Sequence, residues 1–296
     1  MLGVVNLDKP VGVTSHDMVG LMRRLTGMRR IGHAGTLDPL ASGVLPVLVG
    51  GATRFSEELT GGRKRYAAVV RLGIRSLTDD GEGPLEPSGS LLPDRDAVEA
   101  ALGLQEGTVE QRPPAFSARK VGGQTAHRAA RAGTPLELTP RTVSVERIEL
   151  LELVPGDGWL DVSLDIVCGP GTYIRSIARD LGDELGCGGY LHALRRLEAA
   201  GLHARDGFTP PVLEELAAAG DLGRAVIPVT DLLPFPRISL AVIEGFLHGS
   251  ATRVDPGTPD GRHVAVAADG RLLGIGTVRA GLLQPEKVLV DPAGPR

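Results

Sequence analysis

The chain has 296 residues, of which 42% are hydrophobic and 23% charged; that is two ordinary domains' length with enough apolar surface for a sizeable core, and it excludes a disordered protein. The formal net charge of −4 argues, taken alone, against a polyanion binder. Two cysteines without C-x-x-C spacing, Cys168 and Cys187, argue against a disulfide scaffold or a structural zinc site, and with no signal peptide or ~18-residue apolar run the chain reads as soluble and cytoplasmic.

In chain order, Gly3 to Leu7 reads as a short strand, Asp8-Lys9-Pro10-Val11-Gly12 as a turn, and Thr14 or Ser15 as the N-cap of a helix reaching about Leu25. A Gly-rich loop follows from Gly27 to Gly43. Val44 to Val49 reads as a buried strand, Thr53 to Leu59 as a helical turn or two, and Arg65 to Leu72 alternates like a strand. Ser76 to Pro93, rich in Asp, Glu, Gly and Pro, reads as a loop. Strands are predicted at 107–110, 143–153 and 159–167, and helices at 95–102, 126–132, 174–185 and 212–219. The absence of a βαβ rhythm points to α+β with a mixed, largely antiparallel sheet. A Pro-rich break at 228–236 sets off a tail whose short strands at 264–267, 272–278 and 287–290 mark a small β-barrel-like module.

Charge is unevenly spread. Residues 1–75 carry +6, 76–110 carry −8, 111–145 carry +5, 146–220 carry −7 and the remainder 0. Arginine outnumbers lysine 28 to 4 and clusters at 23–24, 29–30, 63–65 and 195–196. Guanidinium groups suit bidentate phosphate contacts, although on composition alone such clusters read as solvated faces.

Three stretches stand out. In Gly32-His33-Ala34-Gly35-Thr36-Leu37-Asp38-Pro39-Leu40-Ala41-Ser42-Gly43, glycines allow close approach of a ligand and Pro39 keeps Asp38 extended, presenting a carboxylate ahead of a buried strand; the plain alternative is a turn. In Gly169-Pro170-Gly171-Thr172-Tyr173-Ile174-Arg175, a cation falls in the first turn of a helix, where the dipole disfavours it, so a carboxylate partner is expected; otherwise Arg175 is a surface residue. In Arg63-Lys64-Arg65-Tyr66, one of only nine aromatic residues lies beside basic ones, as suits stacking on an unpaired base, or as a half-buried strand residue. Motifs for nucleotide hydrolysis, dinucleotide redox, zinc proteolysis and α/β-hydrolase chemistry are missing from the sequence.

Together with LDKPVGVTS at 7–15, KRYAAVVRLG at 64–73, QRPPAFSARKVGGQTAHRAAR at 111–131 and GTYIRSIARDLGDELGCGGYLHALRR at 171–196, these stretches resemble the TruB family of bacterial tRNA pseudouridine-55 synthases along nearly the whole chain. The resemblance implies a pseudouridine-synthase catalytic domain over 1–230, with a thumb-like insertion at about 107–142, and a PUA-like RNA-binding domain over 237–296. It implies Asp38 as the catalytic aspartate, Tyr66 as the tyrosine of the active-site strand and Arg175 as the aspartate's partner. His33 then stacks against or supports displaced nucleotides, Tyr173 and Leu194 line the base pocket, and Lys9, Arg119 and Lys120 contribute to RNA binding. Phe116 and His127 stand where the family often has tyrosine.

The implied reaction converts a T-loop uridine of tRNA to pseudouridine without cofactor or metal, by a monomer needing no protein partner or membrane. The glycosidic bond breaks at N1, the uracil turns, and it is rejoined through C5. In that setting Arg175 should lower the pKa of Asp38 and keep it ionised, and the acidic stretches should lie mostly away from the RNA face. The alternative is an RNA-binding protein whose main role is opening and refolding the tRNA elbow.

Overall fold

The computed structural model describes residues 1–289 apart from 118, 119, 122 and 135. Its chain begins with strand β1 (Gly3–Lys9), helix α1 (Ser15–Thr26), the short β2 (Ile31–His33) and β3 (Ala41–Val49). The expected N-terminal signals hold: Thr14 and Asp17 form a reciprocal capping box, and Gly27 ends α1 at φ 66°. β3 starts three residues earlier than its apolar run suggests. Gly43 sits at φ +100° with its α-carbon pressed on β12 (Gly189–Ala199), where a Cβ would lie 2.2 Å from the Arg196 carbonyl oxygen.

After helix α2 (Ser56–Thr60) comes β4 (Lys64–Leu72), buried at every second residue as its alternation predicts. The loop expected at 76–93 contains a hairpin, β5 (Ile74–Ser76) with β6 (Leu85–Pro87). Then follow α3 (Arg95–Gly103), β7 (Gly107–Gln111), the small β8 (Lys120–Val121) and β9 (Gln124–Thr125), α4 (Ala126–Arg131), β10 (Arg141–Pro155), β11 (Leu160–Cys168) and α5 (Ile174–Glu184). Beyond β12 lie β13 (Leu202–His203), α6 (Pro210–Ala218) and β14 (Val226–Ile227).

These strands make a ten-stranded sheet in the order β14-β1-β3-β12-β4-β11-β10-β7, with β2 on β3 and β13 on β12. Every pairing within it is antiparallel except β12 with β3, so the predicted fold class holds. β12 was not anticipated from sequence, yet it occupies the middle of the sheet. Helix α5 lies against it at Gly182, whose Cβ would come within 2.1 Å of the Gly189 nitrogen. One apolar cluster joins α3 and α5 to β4 and β11, and another joins α1 to β1 and β3.

The tail forms a five-stranded sheet from β15 (Arg237–Leu240), β16 (Thr252–Arg253), β17 (Gly261–Ala267), β18 (Leu272–Arg279) and β19 (Leu282–Val288), with the short α7 (Glu244–Leu247) beside it. The last strand lies earlier than the expected 287–290, of which residue 290 falls outside the described set. This sheet is not free of the rest: Val264, Leu272 and Ile275 share an apolar cluster with Val44, Leu48, Phe55 and Leu59. Glu58, only 4% exposed in its side chain, receives both Arg262 at 2.9 Å and Lys287 at 3.0 Å.

Candidate active site

Asp38 stands in the loop between β2 and β3, and several groups fix that loop. Ser15, at the start of α1, donates its hydroxyl to the Leu37 carbonyl at 3.0 Å and accepts the Leu37 N–H at 2.9 Å. Leu37 is buried in the cluster beneath α1. The Asp38 carbonyl accepts from Ala41 N–H, and the Pro39 carbonyl from Gly12 N–H at 2.8 Å. Lys9 is fully buried; its ammonium donates to the Pro10 and Val13 carbonyls at 2.9 and 2.7 Å and reaches Pro39 O at 3.5 Å. Lys9, expected among the RNA-binding residues, therefore braces the Asp38 loop from inside. Burial lowers its pKa to about 8.

Arg175, in the first turn of α5, is the carboxylate-seeking cation that its position predicts. Its Nε lies 3.0 Å from Asp38 Oδ2, an ion-pair contact whose angle does not make a hydrogen bond. Its Nη1 lies 3.3 Å from Asp80 Oδ2 and donates to Thr78 O, and its Nη2 donates to Phe116 O at 3.0 Å. The guanidinium is buried while the Asp38 side chain keeps 36% of its surface. Asp38 is thus a half-open carboxylate held by a closed cation.

The net direction of the Asp38 pKa is upward, against expectation. Burial raises it most, Arg175 opposes, and Asp80 adds repulsion. The expected effect of Arg175 is real but outweighed.

Asp80 belongs to the most acidic segment, which was expected to lie away from the site. Instead residues 77–83 fold over it. Asp79, at φ 61°, pairs with Arg179 at 3.0 Å, its carbonyl accepts from Leu191 N–H, and burial lifts its pKa to about 6. The physical reason is compensation: α5 brings two arginines, Arg175 and Arg179, into partly or fully desolvated positions, and the nearby carboxylates neutralise them.

On β4, Tyr66 is buried opposite Ile166 of β11 and Arg196 of β12. Burial raises the phenol's pKa, with Arg196 pulling the other way, so it is a neutral phenol at neutral pH. Tyr66, Tyr173, Leu194, Asp38 and Arg175 line one cavity of about 300 Å³, together with Lys64 and Arg196. Tyr173 precedes α5 and is pinned by a two-way bond between its backbone and the Gln111 amide, at 2.8 and 3.1 Å. Leu194 pairs with Ala41 of β3 and Ala68 of β4. A second cavity, of about 450 Å³, lies on the Asp80 side and is lined by Phe116 and His127; Asp38, Ser117 and Arg175 border both.

His33 borders neither cavity. It is half-buried on β2, its Nδ1 has no hydrogen-bond partner, and burial first, then Arg196, lowers its pKa, leaving a neutral ring at neutral pH. Arg119 lies outside the described residues, and Lys120 is described only as backbone in β8.

The site thus joins a half-exposed carboxylate, a buried guanidinium that directs it, and an aromatic and aliphatic pocket for a flat ring. Such a carboxylate can attack an electrophilic sugar carbon or stabilise its developing positive charge. Sequence reasoning found Asp38, Tyr66, Tyr173, Arg175 and Leu194, but missed Ser15 and Asp80 as supports. Ser15 carried no signal beyond helix capping, and Asp80 was hidden inside an acidic run.

The model of the TruB family pseudouridylate synthase N-terminal domain matches residues 23–174. The tRNA pseudouridine synthase B of Thermobifida fusca is 42% identical over 96% of this chain and 97% of its own, and that of Acaryochloris marina is 40% identical over 98% and 99%. Among solved structures, a chain of a Cbf5–Nop10–Gar1 complex superposes with a TM-score of 0.72 at 26% identity, covering 97% of this chain and 84% of that one. A chain of the archaeal box H/ACA Nop10–Cbf5 complex gives 0.70 at 25% identity, with coverage of 97% and 85%.

Proposed function

Because the chain belongs to the TruB family of pseudouridylate synthases, we propose that it isomerises uridine 55, in the T-loop of tRNA, to pseudouridine, with Asp38 as the catalytic carboxylate. The observation that carries this reading is the Asp38–Arg175 pair at the edge of the cavity lined by Tyr66, Tyr173 and Leu194. A uracil inside folded tRNA is inaccessible, so the nucleotide is extruded into this cavity. Tyr66 supplies a neutral aromatic surface for the ring, and Arg175 directs the carboxylate toward the ribose. The N1–C1′ bond breaks with its electron pair on the base. C5 then bonds C1′, the C5 proton passes to water and N1 takes one up, so the net change is an isomerisation.

The enzyme acts in this reading as a cytoplasmic monomer on the T-arm alone, with residues 1–230 as the catalytic unit and 237–296 as a PUA-like RNA-binding unit. The test is a T-arm stem-loop transcript incubated with the purified protein, with pseudouridine mapped by mass spectrometry. Wild type is expected to convert one T-loop uridine, that at position 55, without added protein or guide RNA, and Asp38→Asn to bind the RNA but leave it unmodified. Conversion by Asp38→Asn at the wild-type rate would remove Asp38 from the chemistry.

A further inference from the structure

We propose that Lys64 and Arg196 form an anion subsite of this cavity, built for the negative charge the target nucleotide presents there: the uracil as it detaches, or a phosphate beside it. The inference deepens the function proposed above and rests on it. Both side chains line the cavity, and both are buried, with Lys64 8% and Arg196 1% exposed. Neither has a carboxylate within 4 Å among the described residues. Among the described residues Lys64 donates to the Thr60 and Gly62 carbonyls, at 2.8 and 2.7 Å, and Arg196 to the Val44 and Gly35 carbonyls, at 2.7 and 2.9 Å, with the neutral Tyr66 phenol also against it.

The contrast with helix α5 is the argument. Arg175 and Arg179, both on α5, each face two carboxylates. Lys64 and Arg196 instead face each other's charge, and burial together with Arg196 lowers the Lys64 pKa to about 8. Two buried like charges without an anion are costly in the free protein, and that cost is relieved when an anion enters. Register places them around the aromatic ring: Arg196 is the cross-strand partner of Tyr66, and Lys64, two residues along β4, points to the same face.

The reaction supplies such an anion. When N1–C1′ breaks and the pair stays on N1, the detached uracil carries one negative charge spread over N1, O2 and O4. Fixed cations waiting where charge develops lower the barrier without reorganising. An RNA phosphate against the same cations uses the same chemistry, but binds equally before and during the reaction.

Lys64→Gln keeps an amide for the Thr60 and Gly62 carbonyls without the charge, Lys64→Met keeps only the stem, and Lys64→Arg keeps the charge. Each is compared with wild type on T-arm RNA, for affinity across a salt series and for single-turnover conversion. If the anion is the uracil, both neutral variants lose ~10²-fold in rate with unchanged affinity. Lys64→Arg then recovers most of the rate. If the anion is a phosphate, affinity falls and the salt slope becomes shallower by about one, while the rate at saturation is kept. A folded neutral variant with affinity and rate both within ~2-fold of wild type overturns the subsite. So does a folded Lys64→Arg that has itself lost ~10²-fold in rate, an outcome that remains decisive if the neutral variants do not fold. Failure of wild type itself to form pseudouridine would instead refute the proposed function.

Discussion

Ser15→Ala isolates the anchoring of the Asp38 loop. The Ser15 hydroxyl meets both the N–H and the carbonyl of Leu37, and no other hydrogen bond to either group exists among the described residues. Ser15 is 2% and Leu37 4% exposed, so the groups left behind are shut off from bulk water. Each unpaired buried backbone group costs about 1–3 kcal/mol, and with partial relaxation the pair gives a loss of about 2–4 kcal/mol. Helix propensity cannot be the cause, since alanine is the better helix former. The assay is urea unfolding at constant m, alongside single-turnover conversion of T-arm RNA. Thr14→Ala is the control. It removes the exposed cap of the same helix, about 1 kcal/mol, without touching the loop. Ser15→Ala should lose both stability and ~10- to 100-fold in rate, since Asp38 directly follows Leu37, whose N–H and carbonyl are the anchored groups. A loss no larger than that of Thr14→Ala, or an unchanged rate, would show that the hydroxyl does not hold the loop.

Asp80→Asn removes a charge that raises the Asp38 pKa, so the acid limb of the pH–rate profile should move to lower pH; a limb that stays put contradicts the repulsion. Lys9 has a pKa of about 8 when folded against 10.5 unfolded; between those values the unfolded chain holds more protons, so stability gains with rising pH there and not below. Urea unfolding at about pH 7.5 and about pH 10 should therefore show the advantage of wild type over Lys9→Met widening at the higher pH, and a constant gap would refute it. Deleting residues 237–296 uncovers the Phe55 and Leu59 surface and leaves Glu58 without its cations, so the truncated protein should unfold at lower urea as well as bind RNA more weakly; an unchanged midpoint would make the two units independent.

What could be read from sequence depended on whether a residue's local pattern matched its burial. β4 was legible because alternate residues face the core without exception. Helix α1 was legible from its caps. β12 was not, because His192, Arg195, Arg196 and Glu198 interrupt the apolar pattern, and irregularities after Leu191 and Arg196 break the alternation. Two of those charges find partners far away in sequence, Asp8 for Arg195 and Arg65 for Glu198. The same blindness applies to charge sums. Segment arithmetic separated the acidic run at 76–110 from the basic segments, yet the fold brings Asp79 and Asp80 to the arginines of α5. Asp38, Tyr66 and Arg175 emerged from motifs, and the cavity unites them. Lys9 carried the same kind of motif signal, and only the fold shows it turned inward.

The position of β12 also governs the order in which the molecule can be built. During synthesis β1 and β3 can pair, and β4, β10 and β11 can pair, but these are two half-sheets whose facing edges lie one strand apart. Only a segment emerging after residue 188 can close the gap, by joining Ala41–Gly43 on one side and Lys64–Leu72 on the other. Closure is long-range on both sides, which makes it a slow, late event. A nascent chain halted before Gly189 exposes two open strand edges, the kind of surface that chaperones hold and that aggregates recruit.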